Sequence, residues 1–183
     1  MTLPAGALTP RIGDVYLAEQ EILGRVRELG AEIARDYAGR EPVLVTVLKG
    51  AFVFLADLSR AIDIPHGLDF VILQGYDGAL GGRTRIRVIK DLDMPITDRD
   101  IVIVENVVDT GLTLNYLVKT LKLRRPSSLA ICSLLDRPYR RLVEDLPMRY
   151  VGFTVPDEFF VGYGFGLEER YRGLRDLRVV VRP

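Results

Sequence analysis

The chain has 183 residues, enough for one domain and hardly two. A chain of this length removes roughly 70% of its unfolded surface from water on folding, so it needs no disulfide staples. Its 25 basic and 25 acidic residues cancel, which argues against a general electrostatic partner such as nucleic acid or a membrane surface. The single cysteine, Cys132, excludes an intrachain disulfide, and no apolar run approaches the ~18 residues of a spanning helix.

Residues 1–15 read as a flexible arm at the start of a single domain filling 1–183. The first ten lack the basic start and long apolar stretch of a secretory leader, so the cytoplasm is the expected location. From Ala18 to Ala38, Ile22, Val26, Leu29 and Ile33 recur at helical spacing, and Gly39 and Pro42 punctuate the end. Val43–Leu48 is a near-continuous apolar run, as expected of a strand covered on both faces. A helix is expected over Ala51–Ala61, then strands over Asp69–Leu73, Arg85–Ile89 and Ile101–Val104. The spacing next predicts a helix over Leu112–Leu123 and strands over Leu129–Leu135, Tyr150–Val155 and Val179–Val181. Strands alternating with helices predict an α/β fold with a parallel sheet, whose ligands gather at the carboxyl ends of the strands. Cys132 sits in one of the apolar runs and reads as a small buried hydrophobe; a catalytic thiol is the sharper alternative, but the only histidine, His66, lies in a separate stretch.

Chemistry concentrates after Ile101–Val104, in Glu105-Asn-Val-Val-Asp-Thr-Gly-Leu-Thr113. Thr110, Gly111 and Thr113 offer N–H groups and hydroxyls to an anion at a helix N-terminus. The carboxylates of Glu105 and Asp109 suit sugar hydroxyls, a metal ion or a proton. The same residues also make an ordinary capped helix start, with Asp109 or Thr110 satisfying free N–H groups.

This segment resembles the phosphoribosyl-pyrophosphate motif of the type I phosphoribosyltransferases. Leu48-Lys-Gly-Ala51 is similar to that family's pyrophosphate loop, and Lys90-Asp-Leu-Asp93 to a stretch following the mobile loop of its bacterial hypoxanthine-guanine members. Leu134-Leu-Asp-Arg-Pro-Tyr-Arg-Arg141 and the segment from Val151 to Gly164 resemble their base-binding region, and Glu169-Arg-Tyr-Arg172 with Leu174 their closing segment. The resemblance implies a parallel sheet core flanked by helices, a small hood and a mobile β-hairpin loop. It implies transfer of a 5-phosphoribosyl group from phosphoribosyl pyrophosphate to hypoxanthine or guanine, with release of pyrophosphate and help from Mg2+.

By the same resemblance, Asp109 takes or shares a purine proton, and Thr110, Gly111 and Thr113 hold the 5′-phosphate. Glu105, with Asn106 beside it, binds a ribose hydroxyl and is the one metal ligand expected. Lys49 and Gly50 present backbone groups to pyrophosphate, often in this family through a cis peptide. Arg172 clamps pyrophosphate, and Tyr76 rides on the mobile loop. Phe159 stacks on the base opposite Val107, the main chain of Phe160 pairs with the purine edge, and Arg137 faces the 6-oxo group. A homodimer or homotetramer is implied as well.

Four positions depart from the family pattern. Asn106 and Gly166 each stand where an Asp is expected, Arg137 replaces a Lys, and Gln74-Gly-Tyr76 replaces Ser-Ser-Tyr. They motivate an alternative, a catalytically impaired relative that binds purine nucleotide or phosphoribosyl pyrophosphate as a regulator. RNA binding has only two basic clusters behind it, Lys122-Leu-Arg-Arg125 and Arg137-Pro-Tyr-Arg-Arg141.

Overall fold

Two runs of β-branched and apolar residues, Val43–Val47 and Asp100–Val108, have side chains buried on both sides, so they occupy the middle of a sheet with helices on each face. The computed structural model describes residues 11–78 and 82–181, with backbone alone for 76–78 and 82–85. In chain order the elements are β1 (Arg11–Leu17), α1 (Glu19–Asp36), β2 (Val43–Val47), α2 (Phe52–Ala61), β3 (Gly67–Gly78) and β4 (Gly82–Lys90). They continue with β5 (Asp100–Val108), α3 (Leu112–Lys122), β6 (Ser128–Asp136), a 3-10 turn (Pro138–Arg140), β7 (Met148–Thr154), β8 (Phe160–Val161) and β9 (Leu177–Val181).

The main sheet has the order β4-β3-β2-β5-β6-β7, parallel throughout except for the antiparallel β3–β4 hairpin. Alternation along the central strands divides the core. Leu44, Val102, Val104 and Cys132 face α1 and α2, where Ile22, Val26, Leu29 and Ile33 are buried as their spacing predicts. Val43, Val45, Ile101 and Ile103 face α3 through Leu114, Leu117, Val118 and Leu121. Each such side chain contributes roughly 1.5–3 kcal/mol by leaving water. α1 and α2 cross closely at Gly30, where a Cβ would lie 2.5 Å from the Ala61 carbonyl oxygen. No helix among the described residues is long and apolar enough to cross a membrane.

A second, three-stranded sheet has the order β1-β9-β8, all antiparallel, and forms a hood at one end of the main sheet. Residues 11–15 therefore do not belong to a flexible arm: they are strand, registered Arg11 to Val181 and Ile12 to Val180. Val179–Val181 likewise belongs to the hood and not to the parallel sheet. The Lys90-Asp-Leu-Asp93 motif also acquires a structural reason. Asp69, buried on β3, accepts from the N–H groups of Asp93 and Met94 at 2.9 Å each, so the chain leaving β4 is pinned under the sheet.

Candidate functional site

β2 ends at Val47 while its parallel neighbour β5 runs on to Val108, and a cavity of about 250 Å3 opens at these carboxyl ends. Its wall brings Gly50, Glu105, Val107, Asp109, Thr110, Gly111 and Thr113 into one place. β5 runs through Val108, so Glu105, Asn106 and Val107 are strand residues and the polar loop begins only at Asp109. Pairing of Glu105 with Ser133 and of Val107 with Leu135 fixes these side chains against β6.

Gly111 is the N-cap of α3 at φ +78°, a left-handed backbone that favours glycine. The N-cap Gly111 makes no side-chain cap, and the Leu112 N–H donates to Thr110 Oγ1 over a long 3.5 Å. The first turn of α3 thus presents its N–H groups and dipole to the cavity, an arrangement suited to a phosphate. Glu105 retains some solvent-facing surface, yet protein atoms enclose its carboxyl. That burial pushes it up to about 8, only partly offset by the Asn106 backbone N–H. From the cavity wall its oxygens can meet a sugar hydroxyl.

The Leu48–Lys49 peptide bond is cis. Asn106 is buried under the next residue: a Cβ on Gly50 would lie 3.0 Å from Asn106 Nδ2. Lys49 turns its ammonium to Glu169 Oε2 at 2.7 Å, and Arg172 donates to the Gly164 carbonyl at 2.9 Å and contacts Glu169 Oε1 at 3.4 Å. Lys49 and Arg172 so converge on one carboxylate, which Lys49 holds below its ordinary range. They border a neighbouring, more apolar cleft of about 560 Å3 with Phe52, Leu55, Leu68 and Phe70. Gly166 has a physical reason here, because a Cβ on it would lie 2.6 Å from Arg172 Cζ; the guanidinium fills the space a side chain would take.

Arg137, Phe159 and Phe160 do not line the central cavity; they belong to the hood side. Arg137 is buried, donates to the Glu158 carbonyl and sits 5.6 Å from the centre of the Phe160 ring. Its Nε has no hydrogen-bond partner among the described residues. Phe160 is buried, with the Tyr16 ring of β1 at 4.8 Å on it, while Phe159 packs half-buried against Val161, Leu167 and Val180. The side chain of Tyr76 lies outside the described residues.

One residue missed in the sequence joins these two groups. Arg140 places Nε 2.6 Å from Asp109 Oδ1, and Nη1 at 2.8 and 3.0 Å from the two oxygens of Asp157. In the sequence it is one arginine among three in Arg137-Pro-Tyr-Arg-Arg141, the cluster that suggested a basic patch. The cluster is in fact engaged internally, with Arg141 on Asp136 and Arg137 on Glu158, and Arg124 of the other cluster pairs with Asp91. Cys132 is fully buried, and burial pushes its thiol far up, as suits a core residue and not a nucleophile.

Among the described residues no three His, Cys, Asp or Glu side chains gather as a metal cage. Asn106 is neutral and Gly166 bare where carboxylates are expected, so Glu105 and Asp109 are the carboxylates left on the cavity wall, too few to hold a resident metal ion by themselves.

Residues 13–169 match the phosphoribosyl transferase domain family. The hypoxanthine phosphoribosyltransferase of Salmonella typhimurium is 45% identical over 163 residues, 88% of this chain and 91% of that protein. The hypoxanthine-guanine phosphoribosyltransferase of Mycobacterium avium is 42% identical over 177 residues, 93% of this chain and 87% of that protein. A crystal structure of a Bacillus anthracis hypoxanthine-guanine phosphoribosyltransferase superposes with a TM-score of 0.87 at 40% identity, covering 94% of this chain and 99% of that one. With its parallel sheet, hood and strand-end cavity, this chain belongs to the type I phosphoribosyltransferase family, within reach of the bacterial hypoxanthine and hypoxanthine-guanine enzymes.

Proposed function

We propose that this protein is a purine-salvage enzyme that transfers the 5-phosphoribosyl group of phosphoribosyl pyrophosphate to hypoxanthine or guanine. The observation that carries this reading is the convergence of Asp109, the uncapped N-terminus of α3 and the Leu48–Gly50 loop on one cavity. In the reaction the bond from the anomeric carbon to pyrophosphate breaks, with the electron pair leaving on pyrophosphate. A bond from that carbon to a purine nitrogen forms, and the purine gives up one proton.

Each part of the site has a task in that exchange. Thr110, Gly111 and Thr113 hold the 5′-phosphate on the α3 dipole. Glu105 and Asn106 meet the ribose hydroxyls. Lys49, Gly50 and Arg172 receive the leaving pyrophosphate, for which Lys49 and Arg172 must release Glu169; the pairs are exposed, so water already weakens them. Asp109 accepts or shares the purine proton. Val107 and Phe159 bracket the base, Arg137 donates to its 6-oxo group, the Phe160 main chain meets its edge, and Tyr76 helps cover the site. Magnesium, expected across this family, enters as part of the phosphoribosyl pyrophosphate substrate, with pyrophosphate and water supplying most of its oxygens. Assembly into a homodimer or homotetramer belongs to the same reading, supported by the exposed Phe52 and Leu68 beside the apolar cleft.

The test is nucleotide formation from phosphoribosyl pyrophosphate, magnesium and each of hypoxanthine, guanine and adenine, with calorimetric binding on the same protein. Conversion of a 6-oxopurine well ahead of adenine is expected. Tight binding with no product would replace this reading with the regulatory one.

A further inference from the structure

The 3-10 turn Pro138–Arg140 is fastened on two sides. Leu142 N–H donates to the Thr110 carbonyl at 3.0 Å, tying it to the loop that carries Asp109, and the Tyr139 hydroxyl donates to the Val155 carbonyl at 2.9 Å, tying it to the end of β7. From this turn Arg140 reaches both ways. Its Nε covers Asp109 Oδ1 at 2.6 Å, and its Nη1 meets both oxygens of Asp157, two residues ahead of Phe159. Asp109 Oδ1 is closed to solvent and makes a charge contact without an aligned hydrogen bond. The Asp109 side chain as a whole is still 37% exposed and lines the cavity, so the reachable oxygen is Oδ2.

Resting on the function proposed above, we infer that Arg140 is a positioning residue for the transfer reaction. It covers one oxygen of Asp109 so that the other faces the substrate, and it couples that carboxylate to Asp157 in the loop leading to the base-side phenylalanines. Pairs this exposed add little to stability in water, so their value lies in geometry. A carboxylate free to rotate would present either oxygen, or water, to the purine. Only a planar fork can hold one carboxylate by Nε and a second by Nη1; a lysine ammonium is a single point and can serve one of them. Asp109 and Asp157 come from different loops, after β5 and after β7, so the fork also relates the proton acceptor to the base pocket.

The experiment is steady-state kinetics of wild type, Arg140→Gln, Arg140→Lys, Asp157→Asn and Arg140→Gly, the last with and without added guanidinium ion. Arg140→Gln is expected to lower kcat by about 10–100-fold, the scale of a misplaced reacting group, and to raise the purine KM while changing the KM for phosphoribosyl pyrophosphate little. Arg140→Lys recovers part of kcat but not the purine KM. Asp157→Asn raises the purine KM more than it lowers kcat. Guanidinium raises kcat of Arg140→Gly and not of wild type. Unchanged kcat and purine KM in Arg140→Gln overturn the inference. So does a uniform loss of active protein that guanidinium leaves untouched, since that is the mark of a purely structural pair. A wild type that forms no nucleotide overturns the proposed function and this inference with it, and is recognised before any variant is compared.

Discussion

At the level of single residues, the site is governed by which groups keep their charge. Glu105 lies at the end of β5 with its carboxyl enclosed, and burial pushes it up to about 8. The folded protein therefore holds a proton there that the unfolded chain releases at ordinary carboxylate pH. This contribution to stability is fully present below the unfolded value, declines as pH rises, and is gone above about 8. Without ligands, Glu105→Gln should flatten the fall in urea-unfolding free energy between about pH 5 and pH 8.5, by up to roughly 4 kcal/mol at the alkaline end. Equal slopes in the two proteins would place the carboxyl in open water. Asp109, Thr110, Gly111 and Thr113 were legible in the sequence because one short turn holds them all, strand end to helix start. Arg140 was not, since an arginine gives no local sign of its partner, and Asp109 and Asp157 reach it only once β5, β6 and β7 lie side by side.

At the level of elements, the hood and the Leu48–Gly50 loop meet through glycines. Gly164 has φ +91°, and a Cβ on it would lie 2.6 Å from the Gly50 carbonyl oxygen. Gly164→Ala should destabilise the protein by roughly 1–3 kcal/mol through backbone strain and overpacking. By moving the loop it should also weaken phosphoribosyl pyrophosphate by about tenfold, the equivalent of ~1.4 kcal/mol. Thermal unfolding and calorimetry on one sample separate the two effects; wild-type affinity in a destabilised variant would detach this glycine from the loop. The buried strands and helices of the main sheet were readable because their periodicity reports two covered faces. β1 was not: most of its residues are exposed, its partner β9 lies at the other end of the chain, and its pairing with that strand is interrupted by register shifts. Polar Glu105 and Asn106 hid the Glu105–Val108 end of β5 for a related reason, since a strand that ends at a binding site lacks the apolar pattern of a core strand there.

For the molecule as a whole, the proposed function draws the phosphate cradle and the proton acceptor from the main sheet, the base-side residues from the segments after β6 and β7, and the pyrophosphate arginine, Arg172, from the segment after β8. Charge balance over the chain leaves recognition to these local groups and not to a general field. The departures at Asn106 and Gly166 fit into packed surroundings, one beneath Gly50 and the other against the Arg172 guanidinium. On the proposed function, transfer depends most directly on Asp109 as the proton acceptor. Single-turnover nucleotide formation should therefore be compared between wild type and Asp109→Asn, at saturating phosphoribosyl pyrophosphate and hypoxanthine. A rate lower by about 10²–10⁴-fold with phosphoribosyl pyrophosphate still bound is expected. An Asp109→Asn protein that forms nucleotide at the wild-type rate would contradict that role.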